Sequence, residues 1–307
     1  MRRFDAHCDL LFKLWKDPSI NEWDDPRLQT TISMLKESQQ SIQCLAIFVP
    51  ETIPSDQKWD IALAQIDIFY KKIFHKYSFI KLILLKEDIK KIQTDEIGII
   101  LTLEGCEALG DQPSRLNHLY HLGIRSVGLT WNFSNLVADG ALEKSRGGLS
   151  LYGQKVCELL NSFKIWTDLS HLNEKSFWDV MTVAKYPVAT HSNAYKICPH
   201  PRNLTDEQLL EMANKNGVIG VTFVPEFLNE NRFVKLSDVL KHIDYIGSIV
   251  GDDHIGLGSD FDGMDGCVAE LERYDCYSNL IELLQQHYSE TVVKKILFEN
   301  FMTRFIA

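Results

Sequence analysis

No stretch of this 307-residue chain is dense in lysine or arginine, and its net charge is −10. Without a basic patch there is no electrostatic reason to expect nucleic acid or an anionic membrane as partner. No run approaches the roughly eighteen apolar residues that a membrane-spanning helix requires. Arg2 and Arg3 resemble the charged opening of a secretory signal, but Asp5 and Asp9 interrupt the apolar segment that should follow. The expectation is a cytoplasmic protein. The seven cysteines are odd in number and form no CxxC pair, which argues against a disulfide framework and against a zinc-thiolate site. Cys8, Cys44, Cys106 and Cys157 lie in strand-like or helix-like patterns and read as reduced, buried thiols. Repeats, low-complexity tracts and linkers are missing too, which predicts one domain over residues 1–307.

Hydrophobic residues make up 45% and charged residues 24% of the chain, the profile of a soluble globular protein able to bury a large core. Eight short, mostly continuous apolar runs recur: Phe4–Leu10, Ser41–Val49, Gly98–Cys106, Ser126–Trp131, Trp166–His171, Val188–Asn193, Gly217–Val224 and His254–Asp260. Strands buried on both faces of a parallel sheet read this way. Patterns of helical period separate most of them, over Trp59–Phe74, Leu151–Phe163, Glu174–Ala184, Asp206–Asn214, Leu236–Ile249 and Ser278–His287. Thr205 and Ser237 are helix-start signals. The alternation predicts a single (β/α)₈ barrel, with an open doubly wound sheet as the other solution. Loops at Leu136–Ser150, Pro199–Asn203 and Asp262–Tyr277 follow strands and should open at the C-terminal face.

The informative residues sit where those strands begin and end. His7 and Asp9 lie two apart in the first run, so a strand would point both to one face. Glu104, His171, His191 and Asp260 close the third, fifth, sixth and eighth runs. Any one has an ordinary explanation: an Asp at a strand end is often a helix cap, and a lone His there is more often a satisfied polar residue than a ligand. Several strand ends converging on one barrel mouth outweigh those readings, because that is where barrel chemistry sits. Three imidazoles and three carboxylates suit divalent ions such as zinc, and two such ions could lower the pKa of a shared water toward ~7. By contrast, His75, His118, His121, His242 and His287 fall in helical segments and read as surface residues.

The segments Asp5-Ala6-His7-Cys8-Asp9, Leu103-Glu104-Gly105, Asp168-Leu169-Ser170-His171, His191-Ser192-Asn193-Ala194-Tyr195 through Pro201-Arg202-Asn203, and Gly256-Leu257-Gly258-Ser259-Asp260-Phe261-Asp262-Gly263 resemble the membrane (renal) dipeptidase family of the amidohydrolase superfamily. The resemblance implies two Zn²⁺ per chain bridged by Glu104, with His7 and Asp9 on one ion and His171 and His191 on the other. It implies a metallodipeptidase acting on a small dipeptide with a free C-terminal carboxylate, tolerance of a D-residue at that end, and a homodimer. A metal-bridging hydroxide would attack the scissile carbonyl, Asp260 would serve as general base and then acid, and Arg202 would bind the substrate carboxylate. Strand four ends Leu129-Thr130-Trp131-Asn132 with no lysine, which fits a carboxylate-bridged branch. Trp131 stands where animal members have a histidine that steadies the carbonyl oxygen, with Asn132 as a substitute donor, and Phe227 stands where they have a tyrosine. Two other readings remain open at this point. One is a related amidohydrolase acting on N-acyl amino acids, cyclic amides or lactones; the other is a metal-retaining barrel without activity.

Overall fold

The computed structural model describes residues 1–145, 147–230 and 233–306. Arg146, inside the expected Leu136–Ser150 loop, lies outside them. Among the described residues nine strands form one parallel sheet. They are β1 (Phe4–Asp5), β2 (Ile42–Phe48), β3 (Ile80–Leu82), β4 (Ile97–Glu104), β5 (Ile124–Gly128), β6 (Trp166–Asp168), β7 (Pro187–Val188), β8 (Ile219–Val221) and β9 (Ile255–Leu257). Their order is β7-β6-β5-β4-β2-β1-β9-β8, and a parallel bridge from Ala189 to Ile219 joins the two ends. The sheet is a parallel eight-stranded barrel wrapped in helices, as the alternation of patterns predicts. The extra strand, β3, pairs with the first residues of β4, while β5 pairs with the last ones. Three residues followed by only the six-residue helix Lys86–Lys91 gave no signal for it.

All eight residues of β4 are buried, and six of the seven in β2, which explains why these strands read as unbroken apolar runs. Helices Leu151–Phe163, Glu174–Val183, Asp206–Asn214, Leu236–Val250 and Tyr277–His287 lie where the period placed them. Lys58–Ile68 runs on into a wider turn of helix over Phe69–Phe74. Thr205 does start its helix: its hydroxyl accepts the Gln208 amide at 3.3 Å, and the Gln208 side chain accepts the Thr205 amide at 2.9 Å. Ser237 does not; the helix begins one residue earlier, with the Asp238 carboxylate accepting the Lys235 amide at 2.9 Å. The cysteines are unpaired, and five of the seven are buried. Among the described residues no helix is long and apolar enough to cross a membrane.

Most ladders are shorter than the apolar runs. The first run predicts strand through Leu10; the continuous ladder stops at Asp5, an isolated parallel bridge joins Cys8 to Phe261, and a helix begins at Leu10. The continuous ladders of the sixth and eighth end at Val188 and Leu257, with only the Ala189–Ile219 bridge beyond in the sixth. Beyond these points the backbone turns over the barrel mouth, and the residues there are the polar ones.

The opposite end is closed by aromatic packing. Phe4 stacks on Phe301 at 5.2 Å between centroids, and Trp166 lies 5.8 Å from Phe301 and 5.2 Å from Phe305. A side chain on Gly256 would collide with the Phe301 ring, so that position must stay small. Phe301→Ala should cost about 3–5 kcal/mol, read as a lower urea midpoint with an unchanged m-value. A loss under ~1 kcal/mol would show that this plug is not a structural anchor.

Candidate metal centre

The six predicted acidic and imidazole residues come together at the C-terminal mouth, all buried. His7 Nε2 lies 3.3 Å from Asp9 Oδ2, 3.5 Å from Glu104 Oε2 and 3.8 Å from Asp260 Oδ1. On the other side of the same carboxylate, Glu104 Oε1 lies 2.9 Å from His171 Nε2 and 3.8 Å from His191 Nε2. The cluster is continuous: the His7 and His191 rings are 3.8 Å apart and those of His171 and His191 4.8 Å. His7, Glu104 and His191 offer ligand atoms within 4.8 Å of one another, and so do His7, Asp9 and Asp260.

How Asp9 arrives differs from the strand argument. It occupies the N-cap position of helix Leu10–Lys16 but makes no capping hydrogen bond. The ordinary explanation for such an Asp therefore fails, and its carboxylate turns to His7 instead. His171 and Asp260 reach the cluster with φ of +70° and +63°, and Asp262 beside it has +68°. Such left-handed backbone at non-glycine residues costs on the order of 1 kcal/mol each and concentrates at functional sites. Gly263 is required by proximity: a Cβ there would strike the carboxylates of Asp9 and Asp260.

Hydrogen bonds outside the cluster fix which nitrogens face inward. His171 Nδ1 donates to Asn132 Oδ1 at 2.8 Å, leaving its Nε2 as a lone pair. The Thr190 hydroxyl gives its one proton to Asp168 Oδ2 and so accepts from His191 Nδ1 at 2.8 Å, again leaving Nε2 bare. Asp168 is held in turn by the Ser170 and Thr190 amides, each at 3.0 Å. Two lone pairs 2.8 Å apart, both directed at a carboxylate oxygen, repel one another unless a cation sits among them. Across the cluster, His7 Nε2 and Asp9 Oδ1 are buried without a hydrogen-bond partner among the described residues. The donor set fits a divalent metal.

Electrostatics agree. Burial, with the Arg202 charge, lowers the His171 imidazole to about 3, and burial with His7 and Arg202 takes His191 well below its ordinary value. Both are neutral donors at pH 7. Burial opposes charge on His7 as well, but the Glu104 and Asp9 carboxylates outweigh it and hold that ring well above its usual value. Burial would raise Glu104, yet His7 and His171 keep it well below the normal carboxylate range. Asp260 goes the other way: burial, reinforced by Asp9 and Glu104 against the pull of His7, pushes it up to about 8.

A cavity of about 190 Å³ opens onto this cluster, walled by Phe12, Phe48, Trp131, Asn132, Val224, Glu226, Phe227 and Met264. That is below the ~300–1,000 Å³ of pockets for drug-sized ligands and suits a small molecule. Trp131 and Phe227 both line it. Asn132 also reaches it; its Oδ1 accepts from His171 Nδ1 and orients that ring, which leaves its amide NH2 as a donor.

Arg202 is no surface residue. It is 3% exposed, its Nη2 donates to the His191 carbonyl at 3.1 Å, and its guanidinium lies 5.2 Å over the Phe227 ring. Its Nε is buried without a partner among the described residues, and burial lowers its pKa to about 10. A second cavity, of about 390 Å³, reaches Arg202 and His171 from the other side.

His242, expected on the surface, is fully buried. Its Nδ1 accepts the Ala194 amide at 3.1 Å and its Nε2 donates to the Leu228 carbonyl at 3.0 Å. Asn203 Nδ2 donates to the Phe227 carbonyl at 2.8 Å. These bonds tie the loop carrying Arg202 to the turn carrying Phe227. No local pattern marks them, nor the Asp168–Thr190 pair; Phe12 follows the first apolar run and Phe48 lies at the end of the second, where nothing local sets them apart from core aromatics.

Three comparisons place this geometry. Residues 1–305 match the membrane dipeptidase family, peptidase family M19. An uncharacterized protein of the pqqA 5′ region of Klebsiella pneumoniae is 35% identical over 82% of this chain and 97% of its own length. Dipeptidase tcpJ of Claviceps purpurea is 34% identical over 70% of this chain, a match spanning 52% of that protein. The structure of a metallopeptidase from Rhodobacter sphaeroides, liganded with a phosphinate mimic of the dipeptide L-Ala-D-Ala, superposes with a TM-score of 0.93 at 28% identity over 99% of this chain and 98% of that one. With its barrel and its imidazole–carboxylate mouth, the chain belongs to the membrane dipeptidase family of metallopeptidases.

Proposed function

We propose that this chain hydrolyses dipeptides with a free C-terminal carboxylate, using two zinc ions held by His7, Asp9, Glu104, His171 and His191. The observation that carries this reading is the division of one carboxylate: Glu104 Oε2 faces His7, and Glu104 Oε1 faces His171 and His191. A carboxylate whose two oxygens serve separate donor groups is arranged to bridge a pair of cations. Imidazole and carboxylate donors without thiolate match zinc among the common divalent ions. Bound there, the ions would polarise the scissile carbonyl and lower the pKa of water toward ~7.

The protein's own groups supply the rest. Asp260, whose Oδ1 lies 3.8 Å from His7 Nε2 at the edge of the cluster, is placed to take a proton from the nucleophile and return it to the leaving amine. Arg202 has an unpartnered buried Nε beside the cluster and serves as the anchor for the substrate carboxylate. Phe227 supports that guanidinium from below, filling the place of the family tyrosine with packing in place of a hydroxyl. Tolerance of a D-residue at the anchored end is supported by the L-Ala-D-Ala mimic bound to the Rhodobacter protein.

The direct test is metal content together with hydrolysis of L-Ala–D-Ala, L-Ala–L-Ala and N-acetyl-alanine. Two zinc ions per chain with cleavage of the dipeptides are expected; cleavage of N-acetyl-alanine alone would replace this reading. Glu104→Gln should reduce bound zinc from two ions to one or fewer at equal free metal, and retention of both refutes its bridging role. Arg202→Met should raise KM for dipeptides by at least about tenfold, with kcat altered less; an unchanged KM removes it as the anchor. Thr190→Val should weaken zinc affinity by roughly 10–100-fold while Thr190→Ser retains it, because only the hydroxyl fixes the His191 tautomer. Equal affinities of the two variants, titrated against a zinc chelator, would discard the Asp168–Thr190–His191 relay.

A further inference from the structure

The cavity above the metal centre has two unlike walls. One comes from β1, β2 and β5. Phe12 follows β1, Phe48 ends β2 directly opposite Glu104 in register, and Trp131 follows β5. The three rings form a continuous surface: Phe12 meets Phe48 edge-on at 5.2 Å, and Phe48 meets Trp131 at 5.3 Å. Each keeps part of its area open on the cavity they line. Trp131 then continues to His171, 6.1 Å away between ring centres, so the wall begins at the metal donors. The facing wall comes from the turns after β8 and β9 and includes Phe227, which packs beneath Arg202.

Charge is just as uneven. Beyond the metal-facing acids, the lining contains Glu226 and Asp265 but no lysine or arginine among the described residues. An acidic side chain entering this space finds aromatic faces, two further carboxylates and no basic side chain among the described lining residues to pair with. An apolar or aromatic one finds a surface that releases water on contact and offers edge-to-face packing.

We infer that the Phe12–Phe48–Trp131 wall is the side-chain site for the N-terminal residue of the substrate, and that the enzyme prefers bulky apolar or aromatic residues there and discriminates against acidic ones. The inference rests on the dipeptidase reading above, because the direction of the substrate is set by Arg202. With the C-terminal carboxylate held on the β7–β8 side and the scissile bond over Glu104, the N-terminal residue lies toward β1, β2 and β5. Trp131 then has a role of its own: it supplies a flat apolar face for the substrate's first side chain.

The zinc-loaded protein would be assayed on Phe–D-Ala, Ala–D-Ala, Gln–D-Ala and Glu–D-Ala. The Phe-to-Ala pair tests the wall, and the isosteric Gln-to-Glu pair tests charge. Expected are kcat/KM ratios of about tenfold or more in favour of Phe over Ala and of Gln over Glu. Trp131→Ala and Phe48→Ala should each lower the Phe-to-Ala ratio toward one while leaving zinc content at the wild-type level. Circular dichroism and zinc analysis distinguish a lost wall from a lost fold. Hydrolysis of all four dipeptides at similar kcat/KM would overturn this inference and leave the dipeptidase reading standing. Absence of hydrolysis of any of them would overturn both. Preference for Glu over Gln would show that the N-terminal residue lies against a different surface.

Discussion

Two imidazole lone pairs and a carboxylate oxygen aimed at one another in a dry cavity repel, and the upper half of this barrel is organised to keep them aimed. Water cannot relieve the conflict, because His7, His171, His191 and Glu104 are all buried. Protonation relieves little of it either, since burial and the nearby Arg202 charge keep His171 and His191 neutral. A bound cation turns the same arrangement from a liability into a coordination site. The protein holds the donors in place beforehand through groups outside the cluster: Asn132 on His171, and Asp168 through Thr190 on His191. Freezing the donors in this way shifts the ordering cost from metal binding to folding.

Folding must therefore absorb that repulsion along with the left-handed backbone at His171, Asp260 and Asp262. The compensation lies at the other end of the molecule. There Phe4, Trp166, Phe298, Phe301 and Phe305 form an apolar plug, and from it β2 and β4 pair over seven residues up to Glu104. The barrel divides its labour along its axis, with regular ladder and dense packing below and short ladder and polar turns above. Ladder length marks the division: β1, β7 and β9 stop two or three residues before the side chains that matter.

This axial division also decides what the sequence could disclose. Continuous apolar runs report burial on both faces, so the parallel strands and the helices between them were legible, as was the convergence of His7, Asp9, Glu104, His171, His191 and Asp260 at the mouth. The runs overstate the ladders because apolar character continues after pairing has ended; Phe261 is fully buried yet lies outside any strand. His242 was misplaced because it is buried by partners distant in sequence: it takes its hydrogen bonds from Ala194 and Leu228, 48 and 14 residues away. A helical wheel shows which face is apolar, but not which loop later covers a polar residue on it.

Adjacent residues at the end of β5 show how such a site can change its substrate without losing its metal. Trp131 and Asn132 follow the same strand and both line the cavity, but their work differs. Asn132 holds the His171 ring by its Nδ1, so its replacement would disturb a metal donor directly. Trp131 makes ring contacts with Phe48, Phe133 and His171. Replacing it therefore alters the shape and polarity of the wall while every donor atom keeps its outer hydrogen bond. Position 132 is tied to the tautomer of a neighbour 39 residues away, a tie that the Trp131 ring does not make. Trp131 therefore sits where the imidazole and carboxylate donors take no hydrogen bond from its ring, so the wall and the donor set can be altered separately.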